Sequence, residues 1–98
     1  MRINPVPGAE APLDLLLEAD PSAANIRRYL EHSTCCIASV REETVGAYVI
    51  QPIGDGVHEL MNIAVAPQHQ GNGFGAKLLE HAVNMAREQG ARRLELGT

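Results

Sequence analysis

The chain has 98 residues, enough for one domain, and its 45% hydrophobic content supports a packed core rather than disorder. A formal net charge of −4 and three aromatics (Tyr29, Tyr48, Phe74) provide neither a basic stripe for a phosphate backbone nor a stacking surface for bases, so no nucleic-acid partner is expected. No apolar run approaches membrane-spanning length and the N-terminus lacks a signal pattern; the expectation is one soluble, cytoplasmic domain over residues 1–98, with no membrane partner.

Arg2 to Val6 reads as a short first strand, limited by Pro5 and Pro7. Pro12 suits the first turn of a helix, where its missing N–H costs nothing, and Leu13, Leu16 and Leu17 supply that helix with an apolar face. Asp20-Pro21 interrupts it and starts a second helix, Asp20 as N-cap and Pro21 as first helical residue. Ile26, Tyr29 and Leu30 then share one side, with Arg27, Arg28 and Glu31 outside. From Thr34 to Val40 the period becomes two, which predicts a strand. Cys35 and Cys36 on this strand have the wrong spacing for a zinc knuckle or a redox pair, and should point to opposite faces.

Arg41-Glu42-Glu43-Thr44 reads as a charged turn and Val45 to Ile50 as the next strand. Gly54-Asp55-Gly56 is a hairpin signal, so Val57 to Val65 becomes the third antiparallel strand and the longest. Pro67 cannot extend it. A polar loop with alternate glycines (Gly71, Gly73, Gly75) leads into a helix whose core face is Leu78, Leu79, Ala82, Val83 and Ala86, ending at Gly90. Arg93 to Gly97 is the final strand, placed by the crossover parallel to the strand before the loop, and expected to be central and buried. The order is β-α-α-β-β-β-α-β, an α/β fold with a mixed sheet, without internal repeats or linkers.

Strand, glycine loop and helix together present free backbone N–H groups and a positive helix end to a phosphate. A P-loop is excluded, because Gly71 and Gly75 are too close and Lys77 is followed by Leu78. A dinucleotide fingerprint is formally met by Gly71, Gly73 and Ala76, with Glu95 near the place of the ribose-binding acid. Against it, Pro67-Gln68-His69-Gln70 separates strand from glycines, and the strand follows an antiparallel hairpin.

The pattern Val65-x-Pro67-x-x-Gln70-Gly71-x-Gly73-x-Gly75-x-x-Leu78-Leu79 resembles the acetyl-coenzyme A signature of the GNAT family of N-acetyltransferases, and the element order resembles the first two-thirds of that fold. The resemblance implies acetyl-CoA as co-substrate, its pyrophosphate held by Gln70, Gly71, Asn72, Gly73, Phe74, Gly75 and Ala76. It also implies that Ile63, Ala64 and Val65 pair with the pantetheine arm and supply an oxyanion donor. The acceptor would be a small-molecule or peptide amine, attacked directly in a ternary complex. Glu59 falls where some members carry their general base, and a carboxylate on a mostly apolar strand suits that work. His58 and Glu95 are competing candidates. His69 reads as a solvated loop residue, His32 and His81 as helix-surface positions, and no side-chain set has metal-ligand spacing.

Family members continue beyond this strand into a further helix and closing strands, a segment that often carries the tyrosine that protonates the departing thiolate. The expectation is a GNAT-like fold truncated after the fifth strand. The alternative to an active enzyme is an incomplete coenzyme-binding module that needs its missing segment, a complementing chain or a second copy in a homodimer.

Overall fold

The computed structural model describes residues 1–96. The elements follow the predicted order: β1 (Arg2–Val6), α1 (Leu13–Leu16), α2 (Ala23–Leu30), β2 (Thr34–Val40), β3 (Glu43–Gly54), β4 (Val57–Val65), α3 (Phe74–Glu88) and β5 (Arg93–Glu95), with 3-10 turns at Gly8–Glu10 and Pro67–His69. The strands form one sheet in the order β1-β2-β3-β4-β5, antiparallel except for the parallel β4–β5 pair. The mixed-sheet expectation holds.

Several boundaries differ for identifiable reasons. β3, with 12 residues, is longer than β4 with nine. The last β2–β3 pair is Thr34–Ile50, so beyond Ile50 strand β3 has a neighbour only on the β4 side. That open side lets Pro52 continue the strand without a missing ladder bond. At the other end the charged turn shrinks to Arg41-Glu42, because Val40 already pairs with Glu43. Both turn residues have positive φ (51° and 68°), as a two-residue hairpin of this twist requires, although neither is glycine. The N-cap of α2 is Ser22, whose hydroxyl accepts from the Asn25 N–H at 3.1 Å. Asp20, expected in that role, instead accepts from the Ser22 N–H and from Asn25 Nδ2.

β5 is an edge strand among the described residues, with Arg93 and Glu95 exposed, and not the central buried strand expected. Its strand pairing stops at Glu95, and Gly97, the predicted end, lies outside the described residues.

The sheet separates two cores. On the α3 side Cys36, Ala38, Val45, Tyr48 and Ile50 pack against Leu78, Ala82 and Ala86. Gly46 permits this close approach: a Cβ there would meet Leu78 Cδ1 at 2.7 Å and the Ala64 carbonyl at 2.9 Å. Val83 is 37% exposed, because the buried stripe of α3 runs through Leu78, Ala82 and the half-buried His81 and Met85. His81 is therefore not a surface position; its Nδ1 lies 2.7 Å from the Tyr48 hydroxyl. On the other side Leu16, Ile26 and Tyr29 cover Cys35, Ala47 and Val49. The two cysteines thus face different cores, as strand alternation predicts.

Candidate functional site

β4 does not alternate throughout. Val49 pairs with Asn62 but Ile50 with Leu60, so Met61 is an extra residue and the strand bulges. His58 and Leu60 precede the bulge on the α3 side, while Met61, Asn62 and Ala64 lie on the α1/α2 side. Glu59, between His58 and Leu60, shares the α1/α2 side with its cross-strand neighbours Gln51 and Glu95.

These positions separate the candidate bases. His58 is 7% exposed and directs Nε2 to Gln89 Oε1 at 3.0 Å, into the α3 layer and away from Glu59. Glu95 is engaged by Arg93, at 3.1 Å and 3.2 Å from two guanidinium nitrogens. Glu59 is half-buried, and no protein group among the described residues hydrogen-bonds its carboxylate. His69 is not simply solvated either: its Nε2 pairs with Glu43 Oε2. His32 is exposed, as expected.

β5 pairs with β4 only at Val57, His58 and Glu59. From Leu60 to Val65 the β5-side edge of β4 has no strand beside it among the described residues, a length of about 20 Å at the usual rise. The direction of the backbone groups follows from the ladder. The Ala66 N–H donates to the Val45 carbonyl at 2.8 Å. Antiparallel pairs alternate between bonded and outward-facing. Ala47–Ala64 and Val49–Asn62 therefore bond across β3–β4, whereas Ile63 and Val65 turn their N–H and C=O toward the open edge. Ala64 spends its backbone groups on β3, so an arm lying along β4 finds its partners at Ile63 and Val65.

The open edge runs into the glycine loop. Gly71 and Gly73 have φ of 86° and 79°, a region that side-chain-bearing residues rarely adopt, and a Cβ on either would point into open space. Gly73 is the N-cap of α3, and no side chain caps the helix. The N–H groups from Gly71 to Ala76 donate to no protein group among the described residues, and the first turn carries no acidic residue. Such a turn is matched to an anion by both its donors and its dipole. Side chains brace the loop instead of filling it. Gln70 Nε2 donates to the Val65 carbonyl at 3.1 Å and Asn72 Nδ2 to the His69 carbonyl at 3.3 Å. Phe74 packs into the α3-side core, and Gly75 sits beside Val65.

Within the same stretch of β4, just after the bulge, stands Asn62, 5% exposed, a residue passed over in the sequence although it is a lone polar side chain in an apolar run. Its Nδ2 donates to the Leu16 carbonyl at 3.0 Å and the Tyr29 hydroxyl at 2.9 Å, tying α1 and α2 to the bulge. Burial raises the Tyr29 pKa, so the hydroxyl stays neutral and available. The Asn62 Oδ1 is buried without a partner among the described residues. A separate hollow of about 340 Å³, lined by Pro12, Leu13, Asp14, Leu15, Thr44 and Ala66, opens at the loop end of β4, away from Glu59. No cluster of three or more metal-ligating side chains occurs among the described residues, and no helix there is long and apolar enough to cross a membrane.

Comparison with known proteins agrees with this geometry. The model of the acetyltransferase (GNAT) family matches residues 5–98. An uncharacterized N-acetyltransferase, YvbK, of Bacillus subtilis (strain 168) is 40% identical over 85 residues, covering 87% of this chain and 55% of the relative. The structure of an IAA acetyltransferase from Bacillus cereus ATCC 14579 superposes with a TM-score of 0.95 at 40% identity, covering 99% of this chain and 65% of the other. A GNAT family acetyltransferase from Elizabethkingia anophelis, solved with acetyl-CoA bound, gives 0.93 at 37% identity, over 99% and 64%. The chain thus spans between 55% and 65% of the length of these relatives.

Proposed function

The chain belongs to the GNAT acetyltransferase family, and from that premise we propose that residues 1–98 form the acetyl-CoA-binding part of an N-acetyltransferase acting on a primary amine. The observation that carries the proposal is the continuity of the open β4 edge with the uncapped, acid-free turn at Gly71 to Ala76. An extended arm ending in a diphosphate fits such a path; a nicotinamide dinucleotide, without a strand-like arm, has no use for the edge.

Under this reading the N–H groups of Gly71, Asn72, Gly73, Phe74, Gly75 and Ala76 hold the diphosphate, with Gln70 fixing the end of the strand. Ile63 and Val65 pair with the arm. Bound acetyl-CoA supplies an acyl thioester open to direct attack by a neutral amine. An alkyl ammonium, with a pKa near 10, must first lose a proton. Glu59 takes it, directly or through water, from the side of the sheet that α1 and α2 cover. An outward N–H of Ile63 or Val65 donates to the carbonyl oxygen as it gains charge. The acceptor is a small-molecule or peptide amine, and its wall is built by α1, α2 and Asn62.

Thermal unfolding with acetyl-CoA tests the proposal. Ligand at a hundredfold excess over its Kd stabilises by about 2.7 kcal/mol, a clear rise in Tm. No shift with acetyl-CoA, together with a shift on NAD, overturns the coenzyme reading. Where the protein acetylates a panel of primary amines, Glu59→Gln lowers kcat by about a hundredfold or more. An unchanged kcat removes Glu59 as base.

A second reading, a coenzyme module completed by another chain or a second copy, is favoured by the outer edge of β5, which has no strand beside it among the described residues. Size-exclusion chromatography with light scattering tests it: a folded monomer that binds acetyl-CoA counts against a need for completion.

A further inference from the structure

His69 ends the 3-10 turn that leads into the glycine loop, and it is tied on every side. Its N–H donates to the Ala66 carbonyl at 2.8 Å and its carbonyl accepts from Asn72 Nδ2. Its ring nitrogen Nε2 pairs with Glu43, and its ring packs against that of Phe74 at 6.0 Å between centroids. Glu43 in turn follows Arg41 and Glu42, whose positive φ values are costly for residues with side chains and persist only where the surroundings impose them. The strained tip of the β2–β3 hairpin is thereby joined, through one imidazole, to the first residue of α3. Gln70 to Gly73 lie within that bracket.

We propose that Glu43 and His69 are positioning residues that clamp the glycine loop, holding the N–H groups from Gly71 to Ala76 convergent before a diphosphate arrives. The inference rests on the coenzyme reading above. A loop with glycines at positive φ loses backbone freedom on binding, and a contact that removes this freedom in advance strengthens the complex without touching the ligand. Simple electrostatics predicts the opposite sign. Glu43 is an exposed carboxylate on a residue bonded to the loop, so deleting its charge should favour an anionic ligand.

Isothermal titration of the whole chain with coenzyme A at low salt distinguishes the two. Glu43→Ala and His69→Phe are each expected to raise Kd by about three- to tenfold, the size of one immobilised side chain. Glu43→Gln keeps an acceptor for the ring N–H and recovers part of the loss. The double variant Glu43→Ala/His69→Phe is no weaker than the weaker single one, because both remove the same contact. Glu43 is exposed, so its replacement leaves the fold in place and Kd reports on the loop. An unchanged or tighter Kd for Glu43→Ala overturns the clamp, as do losses that multiply in the double variant. Failure of the unmodified chain to bind coenzyme A overturns the coenzyme reading itself.

Discussion

The two faces of the sheet are closed by different physics. One 15-residue helix covers the α3 face with a stripe of fully buried side chains, and the main chain of β3 comes close enough at Gly46 to leave no room for a Cβ. The opposite face is closed by a four-residue and an eight-residue helix, tied to β4 through the single amide of Asn62. Apolar packing is strong but indifferent to direction, whereas hydrogen bonds contribute less and fix a geometry. Both faces bury apolar side chains, but the α1/α2 side, where the proposed chemistry lies, is in addition placed by the hydrogen bonds of Asn62.

The largest effect should come from breaking the α3 side. Leu78→Ala empties a fully buried site and is expected to lower the unfolding free energy by about 2–5 kcal/mol in urea titration. Leu16→Ala should fall at the lower end of that range, since one turn of α1 can settle into the space; equal losses would erase the contrast. Asn62→Ala strands the Leu16 carbonyl and the Tyr29 hydroxyl, at a cost of about 1–3 kcal/mol. Hydrogen exchange should then quicken in α1 and α2 and stay unchanged in α3. Uniform quickening would show that the two layers unfold as one.

Gly73→Val forces a β-branched residue to a φ of 79°, at about 1–2 kcal/mol. It should weaken coenzyme A binding in calorimetry while leaving the Asn62 brace intact. The smallest effect concerns Asp20, whose pKa is lowered first by the Ser22 N–H and then by the Asn25 side chain. A lowered folded-state pKa gives stability that is complete above the ordinary carboxylate value and is lost as pH falls through the folded one. Asp20→Ala should therefore lower Tm slightly at neutral pH, and the difference should vanish in strong acid. A difference that persists there would assign the loss to something other than the charge.

Element order, the hairpin at Asp55-Gly56 and the glycine loop were legible because each rests on local chemistry: period, turn residues and backbone freedom. What escaped depended on long-range pairing. The bulge at Met61 reads as ordinary strand, since no local residue marks an extra position there, and only the pairing of Asn62 with Val49 and of Leu60 with Ile50 reveals it. Arg41 and Glu42 read as part of a charged turn but lack the glycine or asparagine that marks positive φ, and are held there by the strands they join. Val83 continues a plausible apolar face but sits off the stripe that the sheet selects. Of the candidate site, the loop could be read directly. The separation of Glu59 from His58 follows from strand alternation alone, whereas that of Ile63 and Val65 from Ala64 required the ladder.

The adjacent cysteines of β2 give this two-layered design a built-in reporter. Burial pushes the Cys35 thiol up to about 11, with the neighbouring Cys36 adding to the effect, and burial raises Cys36 as well. Neither is a ready nucleophile while its layer is closed, so alkylation counts openings. Because one thiol lies beneath α1 and α2 and the other beneath α3, peptide mapping after a timed alkylation pulse would clock the two layers separately, from neighbouring residues in one peptide of the unaltered chain.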